Sequence, residues 1–391
     1  MTFTLAWIDQ DQEARKRAHE LLGLFNQPGS RDEMGLGTIR NAFSNLLFPG
    51  TNTAQTRLRF WLIVPWVYRA LEREGMPRSE FWRLGREREL DVLEHLWETS
   101  EEGVYGRRSR RRLKGIPSWH FGLGDAWGLR VHAAGSGNGA RTWHAGLPTP
   151  PRGFPKLDTL SLTAPEAEYL QDRVAQSLPQ SLLAHLFRQV GAKNSGDADG
   201  CGFVWEHPGY ADFAPEHRDE VEHARLFSEV IYGAPVLYNL LLARRVHAGT
   251  RGRQRRGSEG KVAAYEGQLA KWSRGLDRSA LAGWSMDDFW ATVARSTRTN
   301  HWTRAFVSEW IALVRAGELD VRVHGAPAGD SAAAKLVRRR EKALKGVRSR
   351  FRNEKMLAEW RGGAGIYRLG FRWKVVRGFL RELGEGLVAS A

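Results

Sequence analysis

The sequence predicts a mainly α protein: a bundle-like body of several helices, a Gly/Pro/Arg-rich insertion in its middle, and a basic helical region at its C-terminal end. Three observations predict it. Apolar residues recur at helical spacing through most of the 391 residues. The most apolar run, FWLIVPWVY (Phe60–Tyr68), is apolar on all sides, as a buried helix is. Hydrophobic residues make up 42% and aromatics 10%, enough for a sizeable core and too many for a disordered chain.

Taken in order, Asp9 is placed to cap a first helix through QDQEARKRAHELLGLF, with Ala14, Ala18, Leu21, Leu22 and Phe25 at helical spacing and NQPG ending it. GLGTIRNAFSNLLF is a second, carrying Leu36, Ile39, Phe43 and Leu46 on one face. A third is expected from Thr51 or Thr53 through TAQTRLRFWLIVPWVYRALE, with Pro65 kinking it by removing a backbone bond. Phe60, Leu62, Val64 and Trp66 are expected in the core. SEFWRLGRERELDVLEHLWETS is a fourth helix, with Ser79 as its cap.

From Gly103 to Pro155 the composition turns to Gly, Pro and Arg. AAGSGNGA has the character of a hairpin tip or flexible loop and GLPTPPRGFP that of a linker. Helical patterning returns in TAPEAEYLQDRVAQSLPQSLLAHLFRQV, breaks at GAKNSGDADGCGF, and returns in APEHRDEVEHARLFSEVIYGAPVLYNLLLARRV, where Pro235 kinks or divides the helix. TRGRQRRGSEGK reads as a basic loop, followed by three further helical stretches. These shifts divide the chain into residues 1–100, 101–155, 156–325 and 326–391. No internal repeat is seen, and the 16 tryptophans, spread along the chain, are expected mostly in cores or domain contacts.

The net charge of +15 is unevenly spread. Residues 1–100 are near balance and residues 161–240 are acidic. Residues 101–160 carry 10 basic and 4 acidic groups, and residues 241–391 carry 31 and 14. Such segregation calls for a polyanionic partner more readily than for a fold. VRRREKALKGVRSRFRNEK (337–355) is the densest case. Leu344, Val347, Phe351 and Leu357 fall at about helical spacing, which would leave Arg338, Lys342, Lys345, Arg348, Arg352 and Lys355 on other faces, with Gly362 and Gly363 closing the helix. Arg372 and Lys374 follow among aromatics. From Lys335 to Arg381 there are 16 basic residues and three acids, more repulsion than a solvated helix face normally carries. A second cluster, Arg107, Arg108, Arg110, Arg111, Arg112 and Lys114, precedes the turn GIPS and a segment that Ser118 can cap. That order fits a helix-turn-helix with AAGSGNGA as a wing, although Gly122 and Gly124 weaken the second helix.

Enzyme motifs are sparse. Glu216, Glu220 and His223 share a helix face at the spacing of a di-iron site, yet a second Glu-x-x-His is missing, so a surface charge pattern explains them better. Asp9 and Asp11 are explained by capping, His132 and His144 are isolated, and Cys201 has no basic neighbour to activate it. Phosphate loops, nucleophile elbows, Cys-x-x-Cys pairs and dinucleotide fingerprints are absent from the sequence. No metal or cofactor is expected. One cysteine and the acids directly after a short apolar start point to a reducing cytoplasm, with no membrane attachment.

DEMGLGTIRNAFSNLLFPGTNTAQTRLRFWLIVPWVY, GVYGRRSRRRLKGIPSWHFGLGDAWGLR, HARLFSEVIYGAPVLYNLLL and NEKMLAEWRGGAGIYRLGFRW resemble successive blocks of an uncharacterised bacterial family of unknown function, and together span most of the chain. The resemblance brings no activity or catalytic residue with it. It implies a place among genome-defence genes such as helicases and nucleases. From the residues, the expected function is non-catalytic nucleic-acid binding, with DNA as the expected ligand; the resemblance implies a subunit working beside other proteins of a defence or DNA-processing complex. The alternatives are a nuclease or other hydrolase assembled only in the fold, and a scaffold docking an acidic partner.

Overall fold

The computed structural model describes residues 32–99, 102–107, 113, 116, 124–132, 141–191, 196–249, 253–317 and 331–389. The expected first helix, Arg108, Arg110, Arg111, Arg112, Lys114 and most of the helix-turn-helix segment lie outside them. The protein is mainly α, with α1 Gly37–Leu47, α2 Phe60–Arg73, α3 Arg78–Glu98, α4 Ala164–Ser177, α5 Leu182–Gln189, α6 Pro215–Ile231 and α7 Gly233–Gly249. There follow α8 Arg253–Arg274, α9 Arg278–Gly283, α10 Met286–Ser296, α11 His301–Ala316, α12 Ala332–Lys345, α13 Glu354–Ala358 and α14 Trp373–Val388. Two three-residue strands, β1 Arg130–His132 and β2 Arg141–Trp143, pair antiparallel with Val131 opposite Thr142. They flank AAGSGNGA, the segment with hairpin-tip composition.

The chain forms two compact units. One takes the described parts of Met1–Arg40, Leu226–Ala291 and Thr297–Leu369. The other takes those of Asn41–Arg225, Thr292–Ser296 and Gly370–Ala391.

In the second unit the core is aromatic. Phe60, Leu62, Val64 and Trp66 on α2 are all buried. Trp61 stacks on Trp127 at 4.8 Å, and Phe379 of α14 meets both rings edge-on, an arrangement that ring quadrupoles favour. The Trp127 ring fills the space beside Gly50, whose φ of +71° also requires glycine. α4 opens with a capping box between Thr163 and Glu166, and Glu166 also takes a 2.8 Å bond from the buried Arg59.

In the first unit α7 is buried along its N-terminal eleven residues. The apolar stretch Pro215–Gly249 does divide near Pro235. The break falls at Tyr232, and the proline sits in the first turn of α7, where its missing N–H costs nothing. Two indoles satisfy carbonyls at the end of α6: Trp272 donates to Glu229 O at 2.7 Å and Trp310 to Val230 O at 3.0 Å. A window of this stretch has mean hydropathy 1.4, long and apolar enough to cross a membrane, but 89% of it is buried inside the protein. The fully buried Asn239 is satisfied throughout. Its amide donates to the carbonyls of Pro235 and Ala364 and accepts from Trp360 and the Ala364 N–H.

Several expected boundaries move. The third helix starts at Phe60, because Asn52 takes the backbone N–H groups of Ala54 and Gln55 and turns the chain there; Pro65 sits inside the helix without ending it. α3 begins at Arg78 after Pro77, with no side-chain cap, so Ser79 lies within it. The expected basic loop is helical from Arg253, arginine being a good helix former. More helices follow it than the three expected. Gly362 and Gly363 lie beyond the end of α13, in a turn of positive φ.

Candidate polyanion-binding groove on α12

α12 is capped by Ser331, whose hydroxyl accepts from the Ala334 N–H at 3.1 Å, and it stops at Gly346, whose φ is +53°. Its buried face is not the expected stripe. Leu344 and Val347 are 43% and 83% exposed, while Ala333, Ala334, Leu336, Val337, Arg340 and Glu341 are buried. The register is set by charge as much as by apolar contact. Arg340 donates to the carbonyls of Met34 (2.9 Å) and Gly35 (3.1 Å) and to the Thr303 hydroxyl (2.8 Å), with its guanidinium 5.1 Å from the Phe306 ring.

One turn further on, Lys345 binds the buried carboxylate of Glu33 and donates to the Tyr238 hydroxyl at 3.0 Å. Arg350 donates to the same two groups, at 3.0 and 2.8 Å. Glu341 accepts from the Ser349 hydroxyl and from the Arg350 N–H. Burial pushes the Tyr238 hydroxyl far up, with the nearby Glu33 carboxylate adding to it, so Tyr238 stays a neutral donor. Lys345, expected to face a ligand, is therefore spent inside the fold.

The opposite face carries a row of cations. Lys335, Arg338, Arg339 and Lys342 fall at i, i+3, i+4 and i+7 on α12, which puts them on one side of the helix. With Arg352 and Ala343 they line an open groove of about 590 Å³ without a carboxylate in its wall. Arg339 reaches out of the groove to Glu309 on α11, and Arg338 lies 5.9 Å over the Phe351 ring. Three expected site residues, Arg338, Lys342 and Arg352, are brought together here. Lys335 and Arg339 join them, and the 3-4-7 spacing of cations from Lys335 to Lys342 was the signal that could have found them. Arg348, in the short 3-10 turn after α12, and Lys355, in α13, are exposed and are not part of the lining.

The remaining expected residues lie in the second unit. Arg107 donates to the carbonyls of Leu96 (3.2 Å) and Thr99 (2.8 Å), closing the C-terminal end of α3, a position where a cation also offsets the helix dipole. Arg372, at φ +68°, donates to Asn45 Oδ1 and Thr51 O. Lys374 is exposed in the first turn of α14.

Two of the residues weighed for catalysis, Glu220 and Cys201, have structural partners. Glu220 is buried and takes a 2.8 Å ion pair from Arg295. Burial pushes the Cys201 thiol up, and its S–H points at the Glu206 carbonyl. A recess of about 280 Å³ in the same unit is lined by Asp197, His207 and Asp212 beside Leu186, Val190 and Leu380. Among the described residues no three His, Cys, Asp or Glu side chains gather as a metal site.

A family model matches residues 1–386, and the chain belongs to that family of unknown function, DUF6361. No curated protein and no solved structure matches it.

Proposed function

We propose that this member of a family of unknown function binds nucleic acid through its phosphates, along the groove of α12, without itself catalysing a reaction. One observation carries the reading: five cations converge on a single groove whose wall holds no carboxylate. Like charges one helical turn apart repel, at a cost of a few tenths of a kcal/mol per pair. The same helix sets its inward Lys345 against buried carboxylates, whereas no carboxylate lines the groove on its outer side. A polyanion supplies the missing charge, and phosphate neutralisation with counterion release is its physical basis. Partner proteins and a cytoplasmic location belong to the same reading, supported by the basic composition and the single, buried cysteine.

The test is a binding titration with labelled DNA of two unrelated sequences across salt concentrations. Each neutralised phosphate contributes about −0.9 to the log–log slope on duplex DNA. A Lys335→Ala, Lys342→Ala, Arg352→Ala triple variant should flatten the slope by about 2.7 and weaken both sequences equally. All three side chains line an open groove, so circular dichroism should show wild-type helicity. A folded triple variant with the wild-type slope refutes the proposal.

A further inference from the structure

We infer that Trp302 is a base-stacking platform beside the cationic groove, so that the chain takes single-stranded nucleic acid in preference to duplex. This rests on the phosphate-binding reading above and specifies the form of ligand. Eleven other tryptophans are buried, whereas Trp302 is 70% exposed. A single exposed aromatic needs no explanation by itself; its position on α11 is what matters here.

Trp302 stands in the first turn of α11, one residue before Thr303, the hydroxyl that holds Arg340 of α12. It stands seven residues before Glu309, the carboxylate that holds Arg339. Seven residues are two helical turns, so Trp302 and Glu309 share a face of α11, about 10.5 Å apart along the axis. Arg339 lines the groove. The indole is therefore presented on the face of α11 that holds a groove cation, about two turns from the carboxylate that holds it. The rings of His301 and Trp302 are 4.4 Å apart and tilted by 40°, which backs the indole while leaving most of it in water.

Phosphate-binding cations beside an exposed aromatic are the two parts of a single-strand site. The cations follow the backbone, and unpaired bases stack on the ring. Bases inside a duplex have both faces covered by their neighbours and cannot use it. Arg304, on the same helix, lies over the buried Trp290 ring at 5.0 Å and so offers no exposed face.

The test measures fluorescence anisotropy of labelled oligothymidylate and of a duplex of equal length at one salt concentration. Wild type, Trp302→Ala and Trp302→Phe are compared, with circular dichroism confirming that each is folded. Wild type should bind the single strand more tightly. Trp302→Ala should lose about tenfold or more on the single strand, the scale of one stacked base, with duplex affinity and salt slope unchanged. Trp302→Phe should keep most of the single-strand affinity. An alanine variant that binds the single strand as wild type does, or that loses both ligands alike, overturns the inference. If the steep salt slope survives in that case, the phosphate reading stands alone; if wild type binds neither ligand with salt dependence, both fall.

Discussion

Lys345→Ala should destabilise the protein, while Lys342→Ala, one turn earlier on the same helix, should not. The two lysines look equivalent in the sequence, and the structure separates them. Lys345 is bonded to Glu33 and to the Tyr238 hydroxyl, and its ammonium lies 3.5 Å from Glu341 and 5.0 Å from the Tyr238 ring centre. The two carboxylates are 3% and 0% exposed. Without the lysine, Glu33 keeps Arg350 and Glu341 keeps neutral hydrogen bonds from Ser349, the Arg350 N–H and Tyr238, so two buried negative charges share one guanidinium. Removing one partner of a buried pair costs roughly 3–5 kcal/mol; the retained Arg350 argues for the low end, about 3 kcal/mol. Lys342 lines an open groove, and its truncation should stay within about 0.5 kcal/mol. Urea denaturation followed by far-ultraviolet circular dichroism compares the variants directly. Equal midpoints for Lys345→Ala and Lys342→Ala would refute the assignment of Lys345 to the interior. So would a stable Lys345→Ala whose only defect is a flatter salt dependence of DNA binding.

Two further outcomes follow from buried groups elsewhere. Burial pushes the Glu89 carboxyl up to about 8, against hydrogen bonds from Tyr68 and the Ile116 backbone that lower it. The folded state therefore holds a proton that the unfolded state releases near 4.5. The stability this gives is complete below about pH 4.5 and is lost as pH rises through 8, at up to about 1.4 kcal/mol per pH unit. Glu89→Gln should remove that contribution to the slope, and equal pH profiles of urea midpoints for variant and wild type would contradict it. Gly233→Ala should cost about 2–3 kcal/mol by overpacking, since the new methyl would lie 2.1–2.4 Å from the Trp272 ring. Trp272 is held by its bond to Glu229 O and its stacking on Trp310, so it cannot easily give way. A thermal melt matching wild type would show that the ring does move.

Much of the helical fold was legible because its signals are local. The Phe60–Tyr68 run had to be core, and Pro235 marked a real division of a long apolar stretch. AAGSGNGA has the composition of a hairpin tip or flexible loop, and two paired strands flank it. Failures came where local signals compete or where the deciding partner is distant in sequence. Ser79 looked like a cap, but the helix had already begun after Pro77. The basic loop was helical because composition says little about backbone conformation once arginine, a good helix former, supplies the charge. Of the stripe Leu344, Val347, Phe351 and Leu357, Phe351 is buried but Leu344 and Val347 are exposed, for a sharper reason. Gly346 stops α12, and the buried face upstream is held by Glu33, Tyr238 and Thr303, which no local pattern places beside it.

The same partners explain why a count of charges misjudges the site. Arg340, Lys345 and Arg350 belong to the densest basic stretch in the chain, yet each is committed to a carbonyl, hydroxyl or carboxylate of the interior. Taking them away does not dissolve the positive patch; it sharpens it. What is left sits at i, i+3, i+4 and i+7 on α12 with Arg352 beside it, around a groove with no acid in its lining. If stability alone had shaped this helix, acids would be expected on its outward face as well as its inward one, because mixed signs at these spacings stabilise and like signs do not. Glu309, on the neighbouring helix, answers only Arg339. A basic groove with no acid in its lining, on a helix whose inward Lys345 faces buried carboxylates, is the feature that motivates the proposal of a bound polyanion.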